Sequence, residues 1–71
     1  MDVLVFKTNL LRKKDVKVLT PLFESSDEII RWNVDLKDID KILRIEATCR
    51  LSQEIQDLVK KAGYDCEELI D

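Results

Sequence analysis

Val34-Asp35-Leu36, Ile42-Leu43-Arg44-Ile45-Glu46-Ala47 and Ala62-Gly63-Tyr64 are the stretches on which the fold turns. Around the first, Ile30, Trp32, Val34 and Leu36 alternate with Arg31, Asn33 and Asp35, the period of two expected of a strand with one face on a core and one in water. In the second, Leu43, Ile45 and Ala47 point one way while Ile42, Arg44 and Glu46 point the other. The polar segment Lys37-Asp38-Ile39-Asp40-Lys41 between them predicts a hairpin connection. The third stretch closes a helix in which Ile55, Leu58, Val59 and Ala62 recur at i, i+3, i+4 and i+7, with Ser52 placed as its N-cap and Gln53-Glu54 in its first turn. Gly63 then supplies the left-handed residue that stops such a helix, and Tyr64 is placed to pack back on Val59.

The first half fits in front of this. Val3-Leu4-Val5-Phe6 is a continuous apolar run with the character of a central strand flanked on both sides. From Leu11 the period lengthens: Leu11, Val18 and Leu22 share a helical stripe, Leu19 and Phe23 lie beside it, and Arg12, Lys13, Lys14 and Lys17 fall largely outside. Pro21 sits within that pattern without a donor for the Lys17 carbonyl, so a kink or a restart capped by Thr20 is expected there. Glu24-Ser25-Ser26-Asp27 reads as a turn, and Asp65 to Asp71 as a short edge strand through Cys66 and Leu69-Ile70. The order is β-α-β-β-α-β. Two helices on one face of a four-stranded antiparallel sheet bury both helical stripes with right-handed crossovers, so residues 1–71 are expected to form one α+β domain, a ferredoxin-like βαββαβ sandwich with a short last strand.

Composition narrows the chemistry. Seventy-one residues bury only about 60% of the surface of the unfolded chain, which leaves little room for buried polar machinery. With 45% hydrophobic and 38% charged residues, one glycine and one proline, the chain is ordered rather than low in complexity. A net charge of −3 offers polyanions no general attraction, so nucleic acid is not an expected partner. No apolar run approaches the roughly 20 residues that span a bilayer, and Met1-Asp2 leads into strand-like sequence with no signal peptide, so no membrane partner and a cytoplasmic location are expected. Without histidine there is no neutral-pH imidazole base or ordinary zinc ligand, and no nucleophile has an evident partner; the expectation is a protein that is not an enzyme and takes no cofactor. One glycine makes no phosphate cradle, Asp38 and Asp40 flank a turn rather than a calcium loop, and Phe6, Phe23 and Trp32 read as core.

The element order, Val18 and Leu22 of the first helix, Trp32 with Val34-Asp35-Leu36, and Ala62-Gly63-Tyr64 together resemble the heavy-metal-associated domains of copper chaperones and metal-transport ATPases over nearly the whole chain. That family carries Gly-Met-x-Cys-x-x-Cys between its first strand and first helix. With Phe6 set on the family's strand position, the glycine falls on Thr8, the methionine on Asn9, and the two metal-binding cysteines on Leu11 and Lys14. Soft ions such as Cu(I) are held by thiolates, and here a hydrocarbon and an ammonium stand in their place. The resemblance therefore implies the fold without the family's metal site. It also places Cys49 and Cys66 at opposite ends of the sheet, too far apart for a shared metal or a disulfide. Cys49 is then a small buried or boundary side chain. Cys66 lies near the loop and Lys14, whose charge would lower a thiol pKa, and is the one candidate reactive group.

Arg12, Lys13, Lys14 and Lys17 admit two readings. As a solvated helical face they need no function. As a docking patch they are more informative, because lysines at a helix start oppose the macrodipole and do not strengthen the helix. Asp65, Glu67, Glu68 and Asp71 are expected on the same pole, either screening the patch or meeting it in a neighbouring molecule. The leading expectation is a small non-enzymatic protein with a metal-chaperone-like fold, without its metal-binding cysteines, whose patch binds a protein partner or which self-associates at a sheet edge. The alternative is an atypical metal-binding or thiol-redox protein using Cys66, with two copies supplying two sulfurs at a dimer interface.

Overall fold

The computed structural model describes residues 2–69. Its elements are β1 (Asp2–Thr8), α1 (Lys13–Glu24), β2 (Ile29–Asp35), β3 (Ile42–Ala47), α2 (Ser52–Lys61) and β4 (Cys66–Glu68). The strands form one antiparallel sheet in the order β2-β3-β1-β4. Leu4 and Phe6 of β1, Leu43, Ile45 and Ala47 of β3, and Cys66 of β4 are all buried on one pleat face. Leu19 and Phe23 of α1 and Ile55 and Val59 of α2 complete the same core, so both helices cover that face. This is the ferredoxin-like α+β sandwich expected, with its last strand only three residues long. Ile70, read as part of that strand, lies outside the described residues.

α2 forms as its sequence dictates. Its stripe is buried at Ile55 and Val59 and half-buried at Leu58 and Ala62. Gly63 adopts φ 97°, the Gly63 N–H donates to the Lys60 carbonyl and the Tyr64 N–H to the Val59 carbonyl, the paired bonds of a Schellman stop. Its start differs from expectation. Leu51 occupies the N-cap position with no side-chain cap, and Ser52 lies inside the helix because its hydroxyl is drawn to Glu68 Oε1 at 2.5 Å.

α1 departs further. It begins at Lys13, so Leu11 precedes it in the loop, and the buried face is Leu19 and Phe23 with Leu22 beside them. Val18 is 46% exposed and Leu11 69%. The buried residue of the loop is instead Leu10, which plugs the core where β1 ends. α1 also runs through Pro21 without restarting. Thr20 caps nothing: its hydroxyl donates back to the Val16 carbonyl at 3.3 Å, and Pro21 is near enough to the helix end to remove one bond while Phe23 anchors the last turn.

In β2 the alternation holds from Trp32 onward and fails before it. A bulge between Ile29 and Arg31 inserts one residue, so half-buried Ile29 takes the inner place expected of Ile30, which is turned out. Trp32 is half-buried on this edge strand, its ring meeting Phe23 edge-on with centroids 4.9 Å apart.

Candidate functional site

The loop from Asn9 to Arg12 joins the end of β1 to α1, at the pole that also holds the β2–β3 connection and the start of β4. Its geometry is set by side chains rather than by glycine. Thr8, at the position where the resemblance puts a glycine, is buried; its hydroxyl donates to the Lys41 carbonyl at 2.5 Å and its N–H to the Asp40 carbonyl at 3.1 Å. Asn9 locks onto Asp65 twice, accepting the Asp65 N–H at 2.8 Å and donating to its carboxylate at 3.3 Å.

The chief organiser is Asp15. Arg12 has no side-chain acceptor with which to cap α1, so the free N–H groups at the helix start are met from the other side. One oxygen of Asp15 accepts the N–H of Leu11 at 3.1 Å and of Arg12 at 3.0 Å, and the other accepts the Tyr64 hydroxyl at 2.8 Å. The Tyr64 hydroxyl, then the Leu11 N–H, and more weakly the Arg12 N–H and Lys14, hold the Asp15 carboxyl below its ordinary value. The same bond pushes the Tyr64 phenol up. One carboxylate thus ties loop, helix start and helix stop together. Sequence reasoning passed over this residue, although an acid three positions after the N-cap residue Arg12 was the available signal.

Leu11, Arg12, Lys13, Lys14 and Lys17 are exposed around this latch. The ion pairs among the described residues are Lys7 with Asp40, Arg31 with Glu46 and Arg50 with Glu68, and none uses the basic cluster. The acidic tail does not screen it by direct pairing: Asp65 is held by Asn9, and Glu68 turns to Arg50 and Ser52. Asp71 lies outside the described residues. The hairpin connection adds Ile39, 93% exposed, to the same pole.

The two cysteines are placed apart. Cys66 pairs with Thr8 at one end of β1, whereas Cys49 follows β3 beyond the Asp2–Ala47 pair at the other, a strand length of roughly 20 Å. Cys49 is exposed, where a small buried or boundary side chain was expected, because it follows the end of β3, and its thiol donates to Glu28 at 3.0 Å, which pushes its pKa up. Cys66 is buried. The ammonium acting on it belongs to Lys60 rather than Lys14, and burial outweighs that pull, raising the thiol to about 11. At neutral pH it is protonated, the unreactive form for metal ligation or exchange. Among the described residues, no three side chains of His, Cys, Asp or Glu gather as a metal cluster would require, and no helix is long and apolar enough to cross a membrane.

Solved structures place this architecture. The N-terminal domain of PacS from Synechocystis PCC6803 superposes with a TM-score of 0.81 at 13% identity, over 99% of this chain and all of that one. The first domain of the human copper chaperone for SOD1, in its copper(I)-loaded form, gives 0.75 at 20% identity over 93% of this chain and 89% of that one. A chain of the Atx1-Cu(I)-Ccc2a complex gives 0.81 at 11% identity, covering 97% and 96%. No family model matches the sequence, and no curated protein does. The chain has the fold of the copper-chaperone domains it resembles in sequence pattern, while its own two cysteines lie outside any Cys-x-x-Cys arrangement.

Proposed function

We propose that this chain is a non-enzymatic, cytoplasmic protein-interaction module built on a metal-chaperone fold, and that its docking surface is the basic start of α1: Arg12, Lys13, Lys14 and Lys17. The observation that carries the reading is that these four cations find no ion-pair partner among the described residues while crowding the positive end of a helix dipole. A surface held against its own electrostatics is better matched by a partner than by the fold. Leu11 and Val18, both exposed on the same element and its approach, supply the apolar contact that charge steering alone does not. The partner is therefore a protein with an acidic rim around an apolar patch. At the aligned thiolate positions Leu11 and Lys14 offer no soft donor, so the surface would act without the metal that the copper(I)-loaded relatives hold.

The test is capture of interacting protein from cell extract, or cross-linking in cells, by the wild-type chain and by a variant with all four residues changed to glutamate. Loss of the captured partner, with the circular dichroism spectrum preserved, is expected; unchanged association overturns the assignment. Titration with Cu(I) and Zn²⁺ in parallel with Cys66→Ser addresses the thiol reading. No sub-micromolar binding that depends on Cys66 is expected, and such binding would overturn the metal-free account.

A further inference from the structure

The sheet has two edges, and they are unequal. β4 presents three residues, whereas β2 presents seven, with a row of main-chain donors and acceptors that β3 does not use. The bulge between Ile29 and Arg31 ends regular geometry on one side, leaving Arg31, Trp32, Asn33, Val34 and Asp35 as a straight run. Edges are ordinarily defended by charge, and Arg31 and Asp35 would serve that purpose against an arbitrary strand. They do not defend against this strand itself. Laid antiparallel on a copy of itself about Asn33, β2 sets Arg31 opposite Asp35, Trp32 opposite Val34, and Asn33 opposite Asn33.

We propose that β2 is a self-recognition edge: two copies of this chain pair their β2 strands antiparallel about a two-fold axis through Asn33, joining two four-stranded sheets into one of eight strands. The charge pattern is self-complementary only in this register, because sliding by two residues brings Arg31 opposite the Asn33 position and leaves both charges unmatched. The groups needed are available. Arg31 is exposed, bonded through Nε to Glu46 on its own sheet, with the outer nitrogens of its guanidinium remaining. Asp35 uses Oδ1 to accept the N–H groups of Lys37 and Asp38, and Oδ2 remains. At the bulged start of this edge a groove of about 410 Å³ is lined by Phe23, Ile29 and Trp32 together with Glu24, Ser26, Ile30 and Arg31, and in the paired register Val34 of the second copy comes opposite Trp32. The contact is isologous and closes at two, which distinguishes it from the basic surface of α1 and leaves that surface free in the dimer.

Five paired residues make a small interface, so the expected dissociation constant is roughly 100 µM. Sedimentation of the full chain from about 10 µM to about 1 mM should show a monomer–dimer equilibrium. Asn33 provides the decisive variants, since it is exposed and meets its own copy on the axis. Asn33→Asp and Asn33→Lys should each weaken self-association about fivefold, and an equimolar mixture of the two should restore it or exceed it as a heterodimer. A chain that stays monomeric to about 1 mM overturns the proposal. So does a dimer indifferent to charge at residue 33, or one abolished instead by reversing Arg12, Lys13, Lys14 and Lys17.

Discussion

The two helices of this molecule lie over one sheet and obey different rules. α2 has an acid in its first turn, two lysines in its last, a buried stripe at Ile55 and Val59, and a glycine stop. Each of those choices lowers its free energy. α1 has Lys13 and Lys14 beside its one acid, Asp15, in the first turn, no base in its last, a proline inside, and Val18 facing water. Local choices that contradict the element they occupy collect where something other than stability is selected. α2 is scaffold, and α1 carries a scaffold face at Leu19 and Phe23 and an unsupported face opposite.

The largest effects should fall on the scaffold face. Phe23→Ala removes a fully buried ring that also contacts Trp32, and the expected cost is about 3–5 kcal/mol, enough to unfold a domain of this size in urea titration. Val18→Ala, five residues earlier on the same helix, should move the urea midpoint hardly at all, within about 0.5 kcal/mol. Equal losses would erase the distinction between the two faces.

A smaller effect tests the stop of α2. An added Cβ at Gly63 would meet nothing within 4 Å, so Gly63→Ala isolates the backbone cost of φ 97° at about 1–2 kcal/mol. An unchanged midpoint would mean that the left-handed stop contributes nothing.

Asp15→Asn probes the latch that lets α1 tolerate its start. Because the folded state holds this carboxyl below its unfolded value of 3.8, the stability it adds is present above that pH and is lost as pH falls through the lower folded value. The wild type should therefore lose more stability than the Asn variant between neutrality and about pH 3, and identical acid limbs would remove Asp15 from the account. At the small end, Lys13→Glu with Lys14→Glu should leave stability equal or raise it by a few tenths of a kcal/mol while weakening partner capture. A marked loss of stability would show that the lysines serve the fold.

Much of the scaffold was legible because periodicity and the glycine stop act within a few residues. The sheet face of β3 and the whole end of α2 follow from Leu43, Ile45, Ile55, Val59 and Gly63 alone, and the element order from these with the apolar run Val3-Leu4-Val5-Phe6, the helical spacing of Leu19 and Phe23, and the alternation of Trp32, Val34 and Leu36. What sequence could not supply depended on long-range partners. Ser52 looks like a cap until Glu68, sixteen residues away, takes its hydroxyl. Ile30 fits the alternation until a bulge, visible only in pairing with β3, exchanges it with Ile29. Leu10 and Leu11 are indistinguishable by hydropathy, and the direction in which the chain leaves β1 decides which is buried. The basic cluster was readable as charge, and its lack of direct partners was not, since the acids nearest in topology turn out to serve Asn9, Arg50 and Ser52.

Thr8 carries one more consequence. By fastening the last residue of β1 to Asp40 and Lys41, it couples the bend bearing Ile39 to the loop bearing Leu11, two segments some thirty residues apart in the chain. Removing that hydroxyl, as in Thr8→Ala, would leave the residue 8 N–H bond to Asp40 as the remaining tie and loosen the two segments against each other, so a ligand touching both would lose part of the advantage of meeting them already aligned.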